Sequence, residues 1–210
     1  QIAAGDPPDI VGPVGMRRAG DFNELWLDLD TYIDDYDLSD YHPAVLDAWR
    51  FEDQGLIGLP VSVYPSVLYY NRDLFNVLNL AYPPHEFGEE YNGAEWNIEA
   101  LQDLAMYLTM DADGNPANST SFDPENIEQF GFVEQWTDTR GMASLFGSGT
   151  LVDEDGNAVM PDHWREALRW YYEGIWEYHF IPSMEQIDLE LQANPFNSGL
   201  VAMVHTHSWY

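Results

Sequence analysis

Three stretches of the chain repeat apolar residues about every 3.6 positions, the spacing of an amphipathic helix. The first follows Asp21, the second follows Asn97, and both residues are good N-caps. The third spans 161–179. The apolar positions predicted to face a core are Phe22, Leu25, Trp26, Leu29 and Ile33 in the first, Ile98, Leu101, Leu104, Ala105 and Leu108 in the second, and Trp164, Leu168, Tyr171, Tyr172, Ile175 and Trp176 in the third. Shorter helices are predicted at 42–53, 72–80, 140–146 and 183–194.

Short apolar runs predict buried strands at 8–15, 130–133 and 200–210. A further run, "GLIGLPVSVYPSVLYYNRDLF", carries Pro65 in its middle, and proline cannot donate to a strand ladder. We therefore expect two strand segments joined at Pro65, Val61 to Val63 and Val67 to Tyr70. Strands alternating with helices predict an α/β fold with a mostly parallel sheet.

Composition adds a strong charge. The 210 residues include 37 Asp and Glu against seven basic residues, all Arg, for a net charge of −30. This field disfavours nucleic-acid binding and electrostatic binding to anionic membranes. The chain contains no Cys, which excludes disulfides, thiolate metal sites and cysteine nucleophiles.

Motifs for metals and cofactors are absent from the sequence. "DADGN" and "DEDGN" resemble calcium loops, but the sixth position is Pro116 or Ala158 and the twelfth is Phe122 or Trp164, so both predict turns. His205 and His207 share one side of a predicted strand without a third ligand. No phosphate-binding loop, dinucleotide motif or G-x-S-x-G occurs. We therefore expect no metal and no cofactor.

Four segments occur in an order that resembles the extracellular solute-binding proteins of ABC transporters, the group that includes maltose-binding protein. They are "AAGDPPDIV", "GLPVSVYPSVLYYNRDLF", "EWNIEALQDLAMYLTMDADGN" and "FNSGLVAMVHTHSWY". The resemblance implies a periplasmic-binding-protein-like fold of two α/β lobes, here incomplete because members are about twice as long. Residues 1–62 would be a remnant of lobe one and 63–210 most of lobe two, with the crossover near 61–66.

The resemblance also implies a function. It predicts non-catalytic capture of a small solute, a sugar or oligosaccharide, in a cleft between lobes that close on it. The partner would be the membrane permease of an ABC transporter. The protein would be a monomer in the periplasm or outside the cell, with a lipid anchor at the cell surface as one option.

The implied ligand-binding residues combine flat aromatic faces with polar groups, the mixture that sugar recognition needs. Tyr64 precedes the crossover proline, and Trp209 follows the last strand. The remaining candidates are Arg17, Glu134, Trp136 and His207. Core packing is the alternative for the aromatic residues, and a surface salt bridge is the alternative for Arg17.

A glycoside hydrolase is the competing function class. Such an enzyme needs two facing carboxylates in an aromatic cleft, one with a raised pKa. An acidic surface module without a small ligand is a third alternative. The residues do not identify the ligand or the origin of the negative charge.

Overall fold

The computed structural model describes residues 5–22, 24–33, 36–51, 53–135, 139–191 and 194–209, with the backbone alone at 16, 17, 139 and 140. The chain forms two compact units, Gln1–Tyr64 and Pro65–Tyr210. The division falls within the stretch around Pro65 that the sequence marks as a crossover. Assignment of the two units to two lobes stays a prediction.

The smaller unit contains short elements. They are α1 (Met16–Gly20), a 3₁₀ turn (Leu29–Thr31), α2 (Pro43–Asp47), β1 (Arg50–Phe51) and β2 (Gly55–Leu56), and the two strands pair antiparallel. Helix α2 confirms the helix predicted at 42–53 in shorter form. It begins on Pro43, which needs no amide partner there, and the His42 side chain accepts from the backbone amide of Ala44.

Two predictions in the smaller unit are wrong. Residues 8–15 form no strand, and Ile10 is 87% exposed, because no described neighbour supplies the hydrogen bonds of a ladder. The helix predicted after Asp21 is also absent from the described residues. Glu24 has φ of 65°, outside the helical region, and Asp28 accepts from the amide of Asp30 to start the 3₁₀ turn instead.

The larger unit holds a sheet and the main helices. In chain order its elements are β3 (Ser66–Tyr70), α3 (Arg72–Val77), β4 (Glu90–Tyr91), β5 (Ala94–Glu95), α4 (Ile98–Leu108), β6 (Met110–Asp111), β7 (Ile127–Glu134), α5 (Thr139–Phe146), α6 (Asp162–Trp176), α7 (Met184–Gln186), a π-helical turn (Ile187–Leu191), a 3₁₀ turn (Phe196–Ser198) and β8 (Val201–His207). These elements confirm the helices predicted after residue 70 and the strands predicted at 130–133 and 200–210. Every helix in the described ranges is too short or too polar to cross a bilayer.

The stretch around Pro65 behaves partly as predicted. The second segment is a strand, β3, which begins at Ser66 directly after the proline. The first segment is not, since residues 57–65 pair with no strand and Val61 is 83% exposed. A single unbroken strand through Pro65 is thus excluded.

The four-stranded sheet has the order β3-β8-β7-β6. The α/β class is confirmed, but the sheet is mixed rather than mostly parallel. Strand β8 runs parallel to β7 and antiparallel to β3, and β6 runs antiparallel to β7. Strand direction depends on the path of each connection. The helices α5 to α7 connect β7 to β8 and allow these two strands to run parallel. The connection after β6 reverses the chain direction, so β6 and β7 pair antiparallel.

Helices α4 and α6 contribute to the main hydrophobic core together with Phe132 and Met203 of the sheet. Helix α4 buries the predicted face, and Asn97 caps it by accepting from the amide of Ala100. Helix α6 buries part of the predicted face: Trp164 and Tyr171 are buried as predicted, and Ile175 packs against the core. Its buried residues are Trp164, Ala167, Trp170, Tyr171 and Gly174, and Leu168, Tyr172 and Trp176 are exposed. Ala167 and Gly174 are small enough to let the helix approach its neighbours closely.

"DADGN" and "DEDGN" fold into matching turns, as predicted. The carboxylate of Asp111 accepts from the amides of Asp113 and Asn115, and that of Asp153 accepts from those of Asp155 and Asn157. Asp111 also accepts from the amide of Asp123, 12 residues away. Burial raises the pKa of Asp111, but the hydrogen bonds from Asn115, Asp123 and Asp113 outweigh it and lower the pKa below its ordinary value of 3.8.

This lowered pKa gives a pH prediction. Because the folded-state pKa of Asp111 lies below the unfolded value, its stabilisation is complete above pH 3.8 and is lost as pH falls below that value. We expect Asp111→Asn to destabilise the protein at pH 7 and to differ less and less from wild type toward pH 2. Denaturant unfolding across pH measures this. Asp113→Asn is the control, and an equally pH-dependent difference for both variants would contradict the prediction.

Candidate functional site

The start of β3 lies beside the end of β8. Their antiparallel register pairs Ser66 with His207, and the amide of Ser208 donates to the carbonyl of Pro65 at 2.9 Å. These contacts bring together residues 141 positions apart in the sequence. Polar and aromatic side chains therefore gather at one end of the sheet, next to the point where the larger unit begins.

His207 and Trp209 form an aromatic platform at this end of the sheet. Their ring centroids are 4.2 Å apart and the planes are inclined by 25°, a stacked arrangement. The Trp209 side chain is 50% exposed, although indole is a large apolar group. Stacking on His207 limits the freedom of the indole, so the platform offers a preorganised apolar surface to a ligand.

Two hydroxyl groups support the platform. Ser144 Oγ donates to Ser66 Oγ at 3.0 Å, and Ser66 Oγ lies 3.0 Å from Nδ1 of His207. A hydroxyl can accept and donate at the same time, so Ser66 can accept from Ser144 and form a second hydrogen bond with Nδ1 of His207. Residues from β3, α5 and β8 thus orient the platform histidine.

A buried polar cluster of Glu134, Tyr171 and His205 lies in the same unit. Oε2 of Glu134 is 2.6 Å from Nδ1 of His205 and accepts from the Tyr171 hydroxyl at 3.3 Å. The Glu134 side chain is completely closed to solvent. Burial raises the pKa of the Tyr171 phenol, and the Glu134 carboxylate raises it further, so the phenol remains a donor at physiological pH.

The predicted binding residues fall into four groups. His207 and Trp209 lie together in the platform. Glu134 is buried against His205, a geometry that gives no support to a direct ligand contact. Tyr64 ends the smaller unit and is 53% exposed. Trp136 and the Arg17 side chain lie outside the described residues, so their roles stay predictions.

Sequence reasoning missed the two serines and Tyr171. A serine directly after a crossover proline could have drawn attention to Ser66. Nothing local to Ser144 or Tyr171 distinguishes them from ordinary helix residues, because their partners lie 78 and 37 positions away. Within the described ranges, His, Asp and Glu side chains form no group of three suited to a metal ion.

Comparison with known proteins identifies the family. The family model described as bacterial extracellular solute-binding protein matches residues 1–210. The chain belongs to this family. No curated protein matches the chain significantly.

Solved structures of this solute-binding family share the fold. The chain is similar to an ABC substrate-binding protein from Listeria monocytogenes in complex with cycloalternan, at 24% identity and a TM-score of 0.65, covering 100% of this chain and 50% of that one. It is similar to CpMnBP1 with mannobiose bound, at 28% identity and a TM-score of 0.61, covering 99% and 50%. UspC of M. tuberculosis matches at 21% identity and a TM-score of 0.60, covering 86% and 47%.

These matches show the two-lobed periplasmic-binding-protein fold. The chain spans about half the length of the solved relatives that it matches. The family and fold predicted from the sequence are confirmed.

Proposed function

We propose that the protein carrying this chain captures an uncharged carbohydrate without catalysis and delivers it to the permease of an ABC transporter. The carrying observation is the half-exposed aromatic platform of His207 and Trp209, in a chain that belongs to a solute-binding family. The flat indole suits the C–H face of a sugar ring, and polar groups beside it suit hydroxyls.

Two further observations support a carbohydrate. CpMnBP1 is 28% identical to the chain, over 99% of this chain and 50% of its own, and its solved structure has mannobiose bound. The net charge of −30 repels anionic solutes such as phosphorylated sugars, and a neutral saccharide escapes that repulsion. Trp209 and His207 are the proposed platform contacts, and Arg17, Tyr64 and Trp136 are further proposed contacts on the resemblance. Glu134 is closed to solvent, so its proposed part is to hold His205 in place.

The lobe assignment and the location belong to the same proposal. Residues 1–62 would come from lobe one and 63–210 from lobe two, with lobe closure around the ligand. The protein would act as a monomer in the periplasm or at the outer face of the cell, in keeping with a family of extracellular proteins. At the outer face of the cell, a lipid anchor would attach the protein to the membrane.

The hydrolase alternative has no observation in its favour. Asp111 and Glu134 are the buried carboxylates among the described residues, and both accept structural hydrogen bonds. A glycosidase would instead direct an acid and a base at the substrate.

A sugar panel tests the proposal. We expect neutral saccharides, but not amino acids or peptides, to raise the melting temperature of the full-length protein, because a ligand that binds only the folded state stabilises it. Trp209→Ala should weaken sugar binding about tenfold to a hundredfold, the range for an aromatic contact at the centre of a site.

Trp176→Ala is the matched control, since Trp176 is 59% exposed on α6. Its sugar affinity should equal that of wild type. Stabilisation by amino acids or peptides instead of sugars would refute the carbohydrate proposal, and equal losses in both variants would refute the role of Trp209.

A further inference from the structure

The sequence contains one acceptor motif for N-linked glycans. The motif is Asn-x-Ser/Thr, in which x is any residue except proline. Of all the asparagines in the sequence, only Asn118 stands in such a triplet, Asn118-Ser119-Thr120. Asn115 lies three residues upstream, but Pro116 follows it directly and excludes an acceptor role. A triplet this short also arises by chance, so its place in the fold decides whether it can act.

The triplet lies in two successive turns between β6 and β7. The amide of Ser119 donates to the carbonyl of Pro116 at 2.8 Å, which closes a turn with Asn118 near its middle. The amide of Phe122 donates to the carbonyl of Ser119 at 3.2 Å and closes the next turn. Ser119 Oγ also accepts from the amide of Ser121 at 3.2 Å. The backbone therefore holds the triplet in a surface turn, the setting expected of an acceptor asparagine in an exported protein.

Both side chains that the motif requires are accessible. Asn118 and Thr120 are exposed to solvent. Among the residues that the structure describes, neither of these side chains has a hydrogen-bond partner. Asn115, by contrast, donates its side-chain amide to the Asp111 carboxylate at 3.0 Å. The amide nitrogen of Asn118 can therefore gain a covalent substituent without the loss of a native contact.

The turns lie away from the platform of His207 and Trp209. Pro116 pairs with Met110 of β6, the edge strand on the far side of the sheet from β3. Strand β6 pairs with the first residues of β7, whereas the platform lies at the end of the sheet where β7 finishes. A glycan on Asn118 therefore starts from the opposite edge and the opposite end of the sheet, and it leaves the platform open to a ligand.

We propose that Asn118 is a modification site that carries an N-linked glycan, a bulky and solubilising surface group. A transferase would move the glycan from a lipid-linked pyrophosphate donor. The bond from Nδ2 of Asn118 to the anomeric carbon of the first sugar forms, and the bond from that carbon to the pyrophosphate oxygen breaks. The lipid pyrophosphate leaves with the electron pair, and Nδ2 loses one proton. The inference rests on the proposed location outside the cytoplasm, in keeping with a family of extracellular proteins, and not on the sugar site.

Mass spectrometry of the full-length protein, purified from its own host, tests the inference. The peptide that contains Asn118 should exceed its sequence mass by whole sugar residues. Asn118→Gln and Thr120→Val should each abolish the added mass, and Thr120→Ser should keep it, because serine also satisfies the motif. The peptide that contains Asn197 is the internal control. Asn197 is exposed as well, but Gly199 stands where the motif needs a hydroxyl, so this peptide should carry no sugar.

Fractionation of the same cells separates the possible failures. Unmodified Asn118 in protein recovered from outside the cytoplasm would refute the glycan and leave the proposed function intact. Protein recovered only from the cytoplasm, without sugar, would count against the proposed location and the glycan together. Added mass that persists in Asn118→Gln would place the modification on another residue and refute the assignment. Sugar affinity should be equal in wild type and Asn118→Gln, because the turns lie away from the platform.

Discussion

Gly131→Ala is expected to unfold the larger unit under conditions in which the wild-type protein is folded. A Cβ at Gly131 would lie 1.8 Å from the carbonyl oxygen of Ala105 and 2.6 Å from its carbonyl carbon. Both are backbone atoms of α4, so no rotamer change can relieve the overlap. Strand β7 and helix α4 must separate, and the packing of the core is lost.

Two buried hydrogen bonds that share the Thr109 hydroxyl lie where strand β7 approaches helix α4. Thr109 Oγ1 donates to the carbonyl of Ala105 at 2.9 Å and accepts from the amide of Gly131 at 2.8 Å. Thr109 is completely buried, so separation of strand and helix leaves the Gly131 amide without its acceptor. We expect a loss of about 4 kcal/mol or more, a large share of the stability of an ordinary domain.

Denaturant unfolding of wild type and variant measures this loss. Gly20→Ala is the matched control, because no atom lies within 4 Å of a Cβ built at Gly20. The control should unfold within about 0.5 kcal/mol of wild type. A Gly131→Ala protein with near-wild-type stability would show that the strand and helix do not approach this closely.

Glu134→Ala is expected to produce the second large effect. Removal of the carboxylate leaves the Tyr171 hydroxyl and the His205 imidazole buried without their shared acceptor. Breaking a buried pair by deleting one partner typically costs about 3–5 kcal/mol. Glu134→Gln should cost less, since the amide keeps the side-chain volume and one oxygen acceptor.

A double-mutant cycle tests whether the cluster acts as a unit. Tyr171→Phe alone removes one donor from the Glu134 carboxylate. In the Glu134→Ala background the same change should cost less, since the phenol has already lost its acceptor. Unfolding free energies of the four proteins give the coupling. Strict additivity would show that Tyr171 and Glu134 contribute independently.

Local interactions made much of the larger unit predictable from sequence. Asn97 caps α4 with its own side chain, and Asp111 and Asp153 organise their turns through amides two and four residues ahead. Pro65 ends any ladder at its position whatever the surroundings. The run Phe130 to Val133 was predictable as a buried strand because its aromatic and β-branched residues favour strands.

The smaller unit was predicted less well, because its apolar patterns are not backed by local interactions of that kind. Residues 8–15 and 21–33 have suitable apolar patterns, but such patterns form stable elements only when tertiary packing covers them. Ile10 and Leu25 are exposed, at 87% and 59%, so packing does not stabilise the predicted strand and helix.

The sequence by itself determined the family, the fold class, the element order of the larger unit, and Trp209 and His207 as candidate contacts. Only the tertiary structure decided the strand directions, the buried face of α6, and the neighbourhood of each polar group. Ser66 meets His207 across 141 positions, and Glu134 meets His205 across 71. Such contacts follow from register and connection path, which no local pattern encodes. For the same reason, no sequence motif predicts the cavity of about 330 Å³ in the larger unit, which is lined by residues as far apart as Ser66, Trp96 and His205.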